Sequence, residues 1–88
     1  MIILGLYDKT NKAYEKFFPV MDSEINIFVK QLKIEFSKFD SVYNKFAKDY
    51  EIHKICILTD KGLQVPDTIE LVANGIDLVM KGQKNEKI

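Results

Sequence analysis

The chain opens with a short apolar run. Residues 1–7, MIILGLY, include the β-branched pair Ile2-Ile3 and stop at Asp8. That pattern predicts a strand buried on both faces in its first half. DKTNK follows as a polar turn, with Asn11 the residue expected to take positive φ. AYEKFFPV then alternates, which would place Tyr14, Lys16 and Phe18 on one side and Ala13, Glu15 and Phe17 on the other. Pro19 cannot donate to a ladder, so this second strand belongs at a sheet edge.

The segment SEINIFVKQLKIEFSKF carries the strongest helical period. Asp22 or Ser23 is placed to cap it, and Ile25, Phe28, Val29, Leu32, Phe36 and Phe39 share one face. Ile27 and Ile34 fall on the opposite face, beside Lys30, Gln31 and Lys38. Asp40-Ser41 reads as a fresh N-cap before a short second helix with Val42, Tyr43 and Phe46. YEIHKICILT predicts a strand that enters the centre of a sheet. TDKG is a turn with Gly62 at positive φ, and Leu63–Val65 returns as a hairpin partner. From Pro66, with Asp67 as cap and Glu70 three residues on, the spacing of Ile69, Val72, Ala73, Ile76, Val79 and Met80 predicts a last helix. Its far side would carry Leu71 and Leu78. Gly75 inside it signals close packing or an early weakening. The tail KGQKNEKI, residues 81–88, is polar and expected to fray.

The order β-β-α-(α)-β-β-α lacks regular βαβ alternation. It predicts an α+β fold: one domain over residues 1–80, a mainly antiparallel sheet, and helices on one face. At 88 residues the chain is short enough that a partner would add usefully to its stability.

Charge narrows the function classes. Thirteen basic residues balance thirteen acidic ones, and every basic residue is lysine. Lysine lacks the bidentate fork that reads guanine, so specific base readout is not expected, while phosphate contact is. Residues 9–48 hold eight lysines against five acids; residues 49–77 hold six acids against two lysines. Such asymmetry predicts a basic and an acidic face. Cys56 is the single cysteine, sits in the apolar run ICIL, and reads as buried. The start has no basic segment and only a short apolar run, and no stretch approaches a membrane span, so cytoplasm is the expected compartment.

Enzyme chemistry finds little to stand on. His53 is the single histidine, with no nucleophile placed beside it in sequence, and reads as a strand-surface residue. The carboxylates show no metal-ligand spacing, and the glycines no phosphate-loop spacing. The expectation is therefore no enzyme, no metal and no cofactor. Tyr7, Tyr14, Phe17 and Phe18 do interleave with Lys9, Lys12 and Lys16, as in single-strand binders that pair aromatic platforms with a basic track.

Several of these residues also carry a family resemblance. Leu6-Tyr7-Asp8-Lys9, the pair Ala13-Tyr14, the Phe18-Pro19 element before an amphipathic helix, and Asp49-Tyr50-Glu51-Ile52-His53-Lys54-Ile55 lie in order along the chain. So do Thr59-Asp60-Lys61-Gly62 and the closing Asp77-Leu78-Val79. Over about residues 3–80 the chain resembles small non-structural proteins of gokushovirus-type microviruses, phages with circular single-stranded DNA. It departs from them in placing phenylalanine before proline, and in offering Lys30 where an arginine is frequent. The resemblance implies a non-enzymatic role in the host cytoplasm, regulating viral single-stranded DNA synthesis or packaging through DNA or the replication complex.

Two surfaces follow as expectations. Tyr7, Lys9, Lys12, Tyr14 and Lys16, extended by Lys30, Lys33 and Lys38, form the expected DNA surface, for single-stranded or replicative-form DNA. Ile27, Ile34, Leu71 and Leu78 form the expected partner surface, for a homodimer or a phage or host replication protein. The alternative function is that second surface alone: a protein-only interaction module.

Overall fold

Strand β1 (Ile2–Asp8) holds the centre of the sheet, as its apolar sequence requires: β2 (Ala13–Val20) pairs with one side of it and β3 (Tyr50–Thr59) with the other, both antiparallel. These relations come from a computed structural model of the chain, which describes residues 1–80; the tail expected to fray, 81–88, lies outside the described residues. Two short strands share the far edge of β3. β4 (Gly62–Gln64) returns from the hairpin, and β5 (Glu70–Asn74) pairs with residues 51–54. The result is an open antiparallel five-stranded sheet of the expected α+β class. Pro19 lies in β2, an edge strand, the place in a sheet where a residue without an N–H is tolerated.

The helices pack on one face. α1 (Ile25–Ser37) follows a single 3₁₀ turn at Asp22–Glu24 and has no side-chain N-cap, so neither Asp22 nor Ser23 plays the expected role. Leu32 and Phe36 are buried, with Ile25, Phe28 and Val29 packed beside them. Phe39 lies past the end of α1 and is largely exposed. Short α2 (Val42–Lys45) starts where the Asp40-Ser41 break predicted, with the Ser41 hydroxyl accepting from the Tyr43 N–H at 3.0 Å. Asn44 is fully buried and its side-chain amide donates to the Phe36 carbonyl at 2.8 Å. That bond occupies a carbonyl at the end of α1, which has no intrahelical partner of its own. Beneath the helices lie Ile2, Leu4, Leu6, Val20, Tyr50 and Ile52. Burial, with Glu15 beside it, pushes the Tyr50 phenol up to about 12. Cys56 is buried, as its surroundings in sequence suggest.

The last predicted helix does not form. Its first half is β5, and only the four residues Gly75–Leu78 are helical, as α3. The backbone of β3 at residues 51–54 needs ladder partners, and Glu70-Leu71-Val72-Ala73-Asn74 supplies them. Leu71 and Leu78 therefore share no helix face. Leu78 is 2% exposed, inside the core, and cannot be a partner residue; Leu71 is 49% exposed on the edge strand. The first turn also differs in detail. Asn11 donates its side-chain amide to the Asp8 carboxylate at 2.7 Å, and the positive φ passes to Lys12 (54°). Gly62 takes φ 111° as expected.

Candidate nucleic-acid interface

No described helix covers the second face of the sheet, and its floor is a glycine. Gly5 pairs with Phe17 on β2 and His53 on β3. A Cβ there would stand 2.7 Å from Cδ1 of Tyr14 and 3.2 Å from Cδ1 of Ile55. The missing side chain is what lets the Tyr14 ring lie down on the strand.

Three rings gather around Tyr14. Tyr7 stacks on His53 with centroids 4.9 Å apart and planes 22° apart. Tyr14 lies 5.0 Å from Tyr7 and 5.4 Å from Phe17, and meets His53 edge-on. A polar chain then fixes the cluster. The Tyr14 hydroxyl is 2.8 Å from His53 Nδ1, His53 Nε2 is 2.9 Å from Glu51 Oε1, and Lys9 Nζ is 3.9 Å from Glu51 Oε2. Burial, then Tyr7 and Glu51, raise the Tyr14 pKa, so the phenol keeps its proton. The carboxylate can only accept, so Nε2–H donates to Glu51, and in the neutral imidazole that leaves Nδ1 to accept from the Tyr14 hydroxyl. These bonds hold Tyr14, His53 and Glu51 in a fixed mutual orientation.

A β-bulge decides which residues reach this face. The β1–β2 register shifts between Leu6, opposite Lys16, and Tyr7, opposite Tyr14; Glu15 is the extra residue. Simple alternation would put Tyr14, Lys16 and Phe18 together. The bulge instead sends Tyr14 to the face of Tyr7 and Phe17. Lys16 stays on the helix side, its Nζ 5.7 Å from the Tyr43 ring centroid.

The expected DNA surface is thus divided. Tyr7, Tyr14, Lys9 and Lys12 come together at the bare face and the adjoining turn. Lys16 sits across the sheet from them. Lys30, Lys33 and Lys38 belong to the helix layer, and Lys38 donates to Glu35 at 2.8 Å. Among the described residues no continuous lysine track joins these groups, because α1 packs on the face opposite the tyrosines. Of the expected partner residues, Ile27 and Ile34 are 58% and 55% exposed on the outer side of α1.

Sequence reading grouped Phe17 with Tyr7 and Tyr14 but missed Gly5, Glu51 and His53 as members of the same site. The readable signal was Gly5 itself, a glycine inside an otherwise apolar central strand.

No family model, curated protein or solved structure matches this chain. Among the described residues, no group of three or more His, Cys, Asp or Glu side chains is arranged to hold a metal. No described helix is long and apolar enough to cross a membrane.

Proposed function

We propose that the chain is a non-enzymatic protein that binds single-stranded DNA on the helix-free face of its sheet. The observation that carries this reading is the ring cluster of Tyr7, Tyr14, Phe17 and His53 spread over β1, β2 and β3. Unstacked bases lie on aromatic side chains presented by a sheet, and a cluster of rings on a helix-free sheet face suits a single strand better than a duplex. Phe17, 56% exposed, offers the most open ring. Lys9 and Lys12 stand at one end of the platform for phosphate contact. With no arginine in the chain, base selectivity should be low. The resemblance to microvirus non-structural proteins supports the wider role: association with viral single-stranded DNA, or with the complex that makes it, during synthesis or packaging in the host cytoplasm.

A titration with labelled oligo-dT at several salt concentrations tests the reading. Two phosphate contacts predict a slope of log K against log salt of about −1.4. A slope of about −3 or steeper would mean that the lysines of the helix layer bind instead, and absence of binding at low salt would remove the proposal. A second reading, a protein-only module, is favoured by one specific observation: the outward Ile27 and Ile34 on α1.

A further inference from the structure

The opposite edge of the sheet has a different character. Every residue from 58 to 71 is exposed, and five of them are bulky and apolar: Leu58, Leu63, Val65, Ile69 and Leu71. Leu63 and Val65 are 61% and 67% exposed. Leu58 and Leu63 are direct cross-strand neighbours, and Leu71 stands opposite His53. Both β4 and β5 pair with β3 on one side, and no other described strand takes their outer side. An edge of this kind offers free backbone donors and acceptors beside apolar side chains, the two elements of strand addition.

Charge selects the occupant. Along this edge and the helix that follows it stand Asp60, Asp67, Glu70 and Asp77 against the single lysine Lys61; Lys54 of β3 lies opposite Glu70. A second copy docked edge to edge would bring two acidic rims together, which opposes self-pairing. A segment alternating apolar and cationic residues would meet apolar side chains and carboxylates at once. We propose that the β5 edge is a docking site for an extended, lysine- or arginine-bearing segment of another protein, added antiparallel or parallel to Glu70–Asn74 as a further strand. This edge meets the ring cluster at His53, opposite Leu71, while Tyr7, Tyr14 and Phe17 lie farther across the sheet on β1 and β2, so a nucleic acid and a protein partner could be held side by side.

The test uses a fluorescent ten-residue peptide of alternating valine and lysine, with no nucleic acid present. A glutamate-for-lysine version and a version N-methylated at alternate residues serve as comparisons. The proposal expects the cationic peptide to bind, and both comparison peptides to bind at least about tenfold more weakly. Leu71→Asn, at an exposed position, should weaken binding by a similar factor while leaving the circular dichroism spectrum unchanged; Asp67→Asn with Glu70→Gln should weaken it and flatten its salt dependence. Equal binding of the N-methylated peptide, unchanged binding by Leu71→Asn, or no binding at about millimolar peptide would overturn it. So would sedimentation showing a dimer of the unmodified chain that Leu71→Asn dissolves, since the edge would then serve a second copy.

Discussion

Replacing Gly75 with alanine should destabilise the fold by about 2.5–6 kcal/mol, the largest effect expected of any one-methyl change in this chain. Gly75 is buried at the junction of β5 and α3. A methyl group there would overlap the Ala47 carbonyl oxygen, and would stand 2.9 Å from the Tyr50 carbonyl oxygen and 3.0 Å from Cε2 of Phe36. Two of these three atoms belong to backbone in the 3₁₀ turn Ala47–Asp49 and the start of β3, so no side-chain rotation relieves the clash. The junction must lift away instead. Leu78 would then leave the core, and the bond from the Met80 N–H to the Ser37 hydroxyl, 2.9 Å long, would stretch or break. Overpacking of this sort costs about 1–3 kcal/mol, and re-exposing a leucine adds roughly 1.5–3. Urea denaturation followed by circular dichroism measures the sum. A midpoint equal to that of the unmodified protein would mean that α3 does not press on the Ala47 turn as described.

The second large effect concerns binding. The double variant Tyr7→Ala/Phe17→Ala should lose roughly 2–6 kcal/mol of single-stranded DNA affinity, a drop of at least about 30-fold, since each base–ring stack contributes about 1–3 kcal/mol. These two rings are chosen because the fold leans on them least. Phe17 is exposed, and neither belongs to the core beneath the helices. Tyr14 is a poorer probe: it rests on Gly5 and its hydroxyl bonds to His53, so its loss would disturb the whole platform. Lys30→Gln/Lys33→Gln, on the helix layer, should bind DNA nearly as the unmodified chain does. Equal losses in the two double variants would mean that binding is diffuse attraction to charge.

Much of the architecture is legible in the residue pattern, and the failures have definite physical causes. The apolar period of 25–37, the cap at Ser41, the alternation over 50–59 and the Gly62 turn all state their structures locally. Residues 69–80 do not. Ile69, Val72, Ala73 and Ile76 fit a helical face, yet Thr68-Ile69-Glu70-Leu71-Val72 also fits a strand. The choice was made by something far away in sequence: the unpaired edge of β3 at residues 51–54. The same holds for the ring site. Tyr7 and Tyr14 were visible as aromatics near lysines, but which lysines join them depends on a bulge at Glu15, and a one-residue shift moves side chains to the other face. Lys16 was lost to the helix side for that reason. His53 was read as a lone strand-surface residue because its partners, Tyr14 and Glu51, come from β2 and from two positions back on its own strand. Residues two apart on a strand share a face, so the Glu51–His53 contact was within reach of the pattern; the Tyr14 contact was not.

The most direct test of the central claim is a backbone and aromatic NMR titration of the labelled protein with oligo-dT. The account predicts that the largest shifts fall on the aromatic resonances of Tyr7, Tyr14, Phe17 and His53 and on the amides of the bare face around Gly5. Ile27 and Ile34 on the outer side of α1 should stay in place. Shifts centred on α1 with the four rings unmoved would contradict it.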